Sequence, residues 1–212
     1  SRLPGKVLLP FKGVSVLEYL INRISKINAI DEYWIASSNN KADDIIEDSF
    51  KSKIKIFRGD EEDVLKRYYD LATLTKANTI IRITADCPFA DPSIINKAIE
   101  LYQNKKVDYL INVIDRTYPD GLDVAVFKYS VLKETYKSCT DPDSLEHVTP
   151  FMRRTPSRSL QARRVSRSHR RSSRCSPSMP SMTSPSALRE SSRRSPKLRT
   201  ISSVNFSASS GL

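Results

Sequence analysis

Between residues 33 and 127 five short apolar runs alternate with amphipathic stretches, and this alternation constrains the fold more than any other feature of the chain. The runs are YWIASS (33–38), KIKIF (53–57), NTIIRITA (78–85), VDYLINV (107–113) and GLDVAVF (121–127). Strands separated by about ten or more helical residues are joined by crossovers, and crossovers imply right-handed βαβ units with a mainly parallel sheet. The intervening stretches have helical spacing. Residues 14–27 carry Val14, Leu17, Leu20, Ile21 and Ile24 on one face, and residues 41–50 carry Ala42, Ile45, Ile46 and Phe50. A helix follows the acidic run Asp60, Glu61, Glu62, Asp63 and extends through Leu71; another starts at Pro92 and extends through Leu101. The 121–127 run has no helix before it, only a Pro119-Asp120-Gly121 turn, so it is expected to pair antiparallel at an edge.

Charge divides the chain. Residues 1–152 hold 21 Lys or Arg against 23 Asp or Glu, whereas residues 153–212 hold 14 against 1, so the net +11 comes from the tail. That tail contains 13 Arg and 19 Ser in 60 residues. Such a composition buries too little apolar surface to offset chain entropy. The reading is one domain, 1–152, followed by a disordered Ser/Arg-rich tail, 153–212, dispensable for folding. Cys87, Cys139 and Cys175 have no CxxC spacing and suggest neither a disulfide framework nor zinc; a reducing cytosol fits. No apolar run approaches the roughly 18–20 residues of a membrane span.

In an open α/β sheet, ligands bind outside the carboxyl ends of the strands. Three such ends carry chemistry: Asp86, Arg58 with Asp60, and the loop at Arg116. Asp86 follows an apolar run directly, with Cys87-Pro88 stopping the strand. A carboxylate there suits Mg²⁺, which takes one or two carboxylates plus phosphate oxygens and water; capping a turn is the alternative. Arg2 and Lys6, flanking Pro4-Gly5, suit phosphate groups at a glycine turn before a helix, or are simply solvated.

Six stretches, in order, carry a resemblance: SRLPGKVLLPFKG, LINRISKINAIDEYWIASS, IFRGDEEDVLKRYYD, RITADCPFADP, RTYPDGLDVAVF and EHVTPF. Together they resemble the cytidylyltransferases that make CMP-activated sugars, most closely the spore-coat polysaccharide branch related to the CMP-KDO and acylneuraminate synthetases. The resemblance implies a nucleotide-diphospho-sugar transferase fold, Rossmann-like and of GT-A type. It implies that Arg2, Gly5 and Lys6 hold the CTP triphosphate, that Asp86 binds Mg²⁺, and that Asp120, Asp123, Glu146 and His147 lie toward the sugar. Arg58 and Arg82 would line the nucleotide side. Read on their own, Asp120 is a natural turn residue and His147 a helix-start histidine with a local hydrogen bond.

In that family SRLPGK is the second half of a phosphate-binding loop that follows a first strand in the middle of the sheet. The domain is therefore expected to lack an interior strand. The family's continuation after EHVTP is not legible in the tail, yet one codon choice for residues 159–164, read one base later, contains Arg-Phe-Lys-Leu-Ala. An out-of-frame origin of the tail thus stands beside a disordered tail. The expected function is Mg²⁺-dependent transfer of CMP from CTP to an acidic sugar for spore-coat or other surface polysaccharide, by a cytoplasmic homodimer. The alternatives are an inactive fragment and nonspecific nucleic-acid binding through the Ser/Arg tail.

Overall fold

A computed structural model describes residues 5–113 and 118–154, together with the backbone of 200–205. After a short turn of 3-10 helix at Lys6–Leu8, a two-strand hairpin, β1 (Pro10–Phe11) and β2 (Val14–Ser15), leads into α1 (Val16–Ile24). The Ser15 hydroxyl caps α1 by accepting from the Glu18 amide at 3.2 Å. Leu17, Leu20 and Ile24, one stripe at helical spacing, are fully buried.

The chain then alternates β3 (Glu32–Ser38), α2 (Asp44–Phe50), β4 (Lys55–Gly59), α3 (Val64–Thr75), β5 (Thr79–Thr84), α4 (Pro92–Lys105) and β6 (Tyr109–Ile111). It continues through β7 (Ala125–Lys128), α5 (Tyr129–Ser138), α6 (Pro142–His147) and α7 (Thr149–Arg154). Asp63, Asp91 and Asp141 each cap a helix by accepting a backbone amide, an economical use of the acidic residues that punctuate the sequence.

These elements form three layers, with a core on each face of the sheet. One unites α1, α2 and α4 with Ile35, Ile81, Ile83 and Val126. The other unites α3, α5 and α7 with Ala36, Ile80, Tyr109 and Phe127. Successive strand residues alternate between the two, as the pleat requires.

Two expectations need correction. First, β7 is not at an edge. Within the six-stranded sheet of the described residues, ordered β4-β3-β8-β5-β7-β6, it lies between β5 and β6 and pairs antiparallel with both. Its Ala125, Val126 and Phe127 are all buried, and a strand apolar on both faces needs cover that an edge does not give.

Second, the interior of the sheet is filled from the tail. Strand β8 (Thr200–Asn205) lies between β3 and β5 and runs parallel to both. Its register pairs Ile201 with Glu32 and Ile80, and Asn205 with Ala36 and Thr84. The facing edges of β3 and β5 present backbone donors and acceptors that must be paired if they are buried, and β-branched Thr, Ile and Val suit an extended segment. Arg153 and Arg154 also belong to the domain, closing α7. The other tail residues, and with them the question of reading frame, lie outside the described residues.

Candidate functional site

At the carboxyl end of β5, Thr84 leads through Ala85 to Asp86. The Lys6 ammonium donates to Asp86 Oδ2 at 3.0 Å, with the two side chains 38% and 50% exposed. Partial burial pushes the Asp86 carboxyl up, but the Lys6 ammonium and the Thr84 hydroxyl outweigh it, and the net shift is downward. Asp86 is therefore a carboxylate already facing a cation.

Lys6 is delivered there by Gly5, which takes φ 66°, a left-handed conformation suited to glycine, and starts the 3-10 turn. Beside Asp86, the Cys87 sulfur lies 2.9 Å from the Thr84 hydroxyl oxygen. Burial raises the Cys87 thiol, and the charges of both Asp86 and Asp123 raise it further. Asp123 thus lies within electrostatic reach of the same strand end. Asn112 fixes its loop: the side-chain amide donates to the Leu122 carbonyl at 2.7 Å and accepts the Val124 amide at 3.0 Å. A polar residue inside the apolar VDYLINV run was the available signal for this clamp.

The remaining expected residues are dispersed. Arg58, at the end of β4, directs its guanidinium to the Asp44 and Glu47 carboxylates, at 2.8 and 2.9 Å, and to the Ser38 and Asn40 carbonyls. Arg82 lies in β5 on the face of α3 and α7, where it is half-buried with an unpartnered Nε. Asp120 lies in the turn before Gly121. Glu146 and His147 end α6, and the His147 ring is 3.9 Å from the Asp143 carboxylate. Arg2 and Arg116 lie outside the described residues.

One residue that holds the loops around this strand end is absent from the sequence reading. Arg67 on α3 is fully buried, and its guanidinium donates to the backbone carbonyls of Asp60, Glu61 and Ala36. It pins the loop after β4 to the carboxyl end of β3. Arg67→Met leaves those carbonyls without their donor, and the expected cost is about 3–5 kcal/mol, or a fall in Tm of roughly 10 °C for a domain of this size. A melting curve within 2–3 °C of the parent would show that the clamp is not needed.

Asp86 also sets an expectation for pH. Its folded pKa is depressed, so the stability it contributes is fully present above the ordinary carboxylate value, roughly 4, and is lost only as pH falls through the folded value. Because both partners are well exposed, the contribution is at most about 1 kcal/mol. Carboxyl NMR titration should keep Asp86 ionised at pH 5, and in Lys6→Gln its midpoint should rise.

The cytidylyltransferase family model matches residues 1–179. The chain belongs to the cytidylyltransferase family. Among its curated relatives is the spore coat polysaccharide biosynthesis protein SpsF of Bacillus subtilis, 30% identical over 167 residues, which cover 74% of this chain and 66% of that protein. Another is the 8-amino-3,8-dideoxy-manno-octulosonate cytidylyltransferase of Shewanella frigidimarina, 28% identical over 106 residues, 49% of this chain and 43% of that one. A solved cytidylyltransferase from Leptospira borgpetersenii superposes with a TM-score of 0.68 at 30% identity, covering 72% of this chain and 65% of that one. The chain thus spans just under two thirds of the length of its first curated relatives. As in other members, the layered α/β sheet is of the nucleotide-sugar transferase type. No helix among the described residues is long and apolar enough to cross a membrane.

Proposed function

We propose that this cytidylyltransferase moves CMP from CTP to a hydroxyl of an acidic sugar and releases pyrophosphate. The observation that carries the reading is the Lys6–Asp86 pair at the carboxyl end of β5, where an open α/β sheet receives its ligands. In the reaction the sugar hydroxyl oxygen bonds to the α-phosphorus while the bond from that phosphorus to the bridging oxygen breaks. Pyrophosphate leaves with the bonding pair, and the hydroxyl proton passes to solvent. Such a transfer depends on positioning and charge neutralisation more than on covalent help from the protein.

A divalent cation fits Asp86: the carboxylate is held ionised, is half-exposed and already faces a positive charge. Mg²⁺ takes one or two carboxylates plus phosphate oxygens and water, so a single carboxylate at this strand end could hold it. Bound there, the ion would supply charge neutralisation of the triphosphate. Lys6 then turns from Asp86 to the phosphate oxygens and stabilises the leaving pyrophosphate, helped by Arg2 and the Gly5 turn. Asp123, Asp120, Glu146 and His147 orient the sugar. Arg58 contributes on the nucleotide side by holding the loops after β3 and β4. The relative from Bacillus subtilis supports a place in spore-coat or other surface polysaccharide synthesis, and the relative from Shewanella frigidimarina supports an octulosonate-type acid.

The test is pyrophosphate release by the full chain from CTP, ATP and UTP, with 3-deoxy-manno-octulosonate or neutral mannose as acceptor and with or without EDTA. Release confined to CTP plus the acid and abolished by EDTA supports the proposal. Equal use of all three nucleotides, or no release with the acid, overturns it. Sedimentation of the same preparation reads the expected homodimer.

A further inference from the structure

The Lys6–Asp86 pair joins two loops that are distant in the chain, and it is too exposed to hold them together by itself. One is the glycine turn with the hairpin that follows it. There the Leu8 amide donates to the Gly5 carbonyl at 2.8 Å and the Val16 amide to the Leu9 carbonyl at 3.0 Å, so Lys6 and the hairpin form one piece. The other is the loop after β5, where the Cys87 amide donates to the Thr84 carbonyl at 3.1 Å and the Ala90 amide to the Cys87 carbonyl at 3.0 Å. Asp86 and Phe89 are thus carried on one stiff turn, with Pro88 between them.

Three rings connect the two loops. Phe11 of β1 and Phe89 meet edge to face, with centroids 5.7 Å apart and planes at 87°. Tyr19 of α1 closes the triangle, 5.0 Å from Phe11 at 86° and 6.4 Å from Phe89 at 74°. Such contacts add to plain area burial, because the positive rim of one ring meets the negative face of the next. Two cations complete the cluster. The Lys12 ammonium lies 5.7 Å from the Phe11 centroid and 5.8 Å from that of Tyr19. Arg23, one turn after Tyr19, lies 5.9 Å from the Tyr19 centroid; its Nε donates to the Ala90 carbonyl at 3.0 Å, and its guanidinium stands 3.6 Å from the Asp91 carboxylate. Helix α1 therefore grips the loop after β5 at Phe89, Ala90 and Asp91.

Two features of this cluster are not what core packing selects. Phe89 is 53% exposed, whereas Phe50 and Phe127 are buried, and an exposed phenylalanine gains little from leaving water. Lys12 takes φ 50° ahead of Gly13 at 84°, in a two-residue hairpin turn that normally selects Asn or Gly. From that tip the lysine reaches over both rings. Each position gives up stability for the junction between the loops.

We infer that Phe11, Tyr19 and Phe89 form an aromatic clasp that positions Lys6 against Asp86, with Phe89 and Tyr19 as positioning residues of the site. The inference rests on the proposed transfer, in which that lysine and that carboxylate serve the same triphosphate. A displacement of about 1 Å in such an arrangement costs on the order of 10²-fold in rate.

The test uses the full chain and three variants: Phe89→Ala, Tyr19→Leu and Phe89→Tyr. A carbodiimide condenses an ammonium and a carboxylate in contact to an amide, and peptide mass spectrometry reads the yield at Lys6–Asp86 and, as reference, at Lys66–Asp70, a pair of similar exposure on α3. Phe89→Ala and Tyr19→Leu should each lower the Lys6–Asp86 yield about 10-fold and leave the reference unchanged, whereas Phe89→Tyr, which keeps the ring, should retain it. Hydrogen exchange at the Leu8 and Val16 amides, on the loop opposite residue 89, should quicken in Phe89→Ala. Its kcat for pyrophosphate release should fall roughly 10- to 100-fold and return in Phe89→Tyr, while Tm stays within about 2–3 °C of the parent because the ring is exposed. No cross-link at Lys6–Asp86 in the parent, an unchanged yield in Phe89→Ala, a loss shared by Phe89→Tyr, or an equal fall at Lys66–Asp70 overturns the clasp. A ring-dependent yield in a chain that does not turn over CTP upholds the clasp and overturns the proposed reaction instead.

Discussion

Removing residues 200–212 should abolish cooperative unfolding. Strand β8 is paired along five residues of β3 on one side and six of β5 on the other. Its loss opens two parallel edges in the middle of the sheet and exposes both cores to water. Each ladder bond contributes about 0.5–1.5 kcal/mol net, and each group left buried without a partner costs more. The total is on the order of 10 kcal/mol, comparable with the whole stability of a domain. The composition of the tail led to the opposite expectation, that it is dispensable. The deciding measurement is a calorimetric melt of the full chain, of the chain ending at Arg199, and of the latter with a peptide spanning residues 199–206. We expect a sharp transition only in the first, and partial recovery in the third. A truncated chain that melts within a few degrees of the parent would show that β8 does not hold the sheet together.

Asp86→Asn should reduce CTP turnover by roughly 10²-fold or more, chiefly in kcat, since it removes a preorganised electrostatic contact. The amide retains the size and one oxygen of the carboxylate. It loses the charge that Lys6 faces at 3.0 Å and that a divalent ion would need. The fold should be nearly indifferent, because the pair is half-exposed and such pairs contribute about 0–1 kcal/mol. Turnover and Tm measured on one preparation separate the two roles that the sequence left open. If Asp86 only caps the turn after β5, the Asn variant works almost normally, because Asn caps about as well as Asp. Near-normal turnover would thus remove the metal from this position and with it the central part of the proposed reaction.

How much of the site was legible depends on how local each signal is. Lys6 and Asp86 lie eighty residues apart, yet both were identifiable, one from a Pro-Gly-Lys turn and the other from a carboxylate that ends an apolar run. Local chemistry advertised each of them; only the 3.0 Å contact had to come from the fold. Arg58 was equally visible, but its surroundings were not: Asp44 and Glu47 come from a helix that precedes it in the chain, and they occupy its donors. Arg67 gave no local signal. A charged residue in an amphipathic helix reads as solvent-facing. What makes Arg67 different is that neighbouring elements supply hydrogen-bond partners, as the loop after β4 does.

The sequence by itself determined the element types, the α/β class, the direction of β7 and the strand end that carries Asp86. Periodicity, caps and turn residues act over a few positions and need no tertiary partner to be read. Only the tertiary structure decided that β7 lies inside the sheet and that Thr200–Asn205 lies between β3 and β5. Strand order depends on which backbone edges remain unpaired once the rest of the chain has folded. Those edges make the same hydrogen bonds with almost any extended segment, so the side-chain pattern of the tail carried little trace of where its last strand would go.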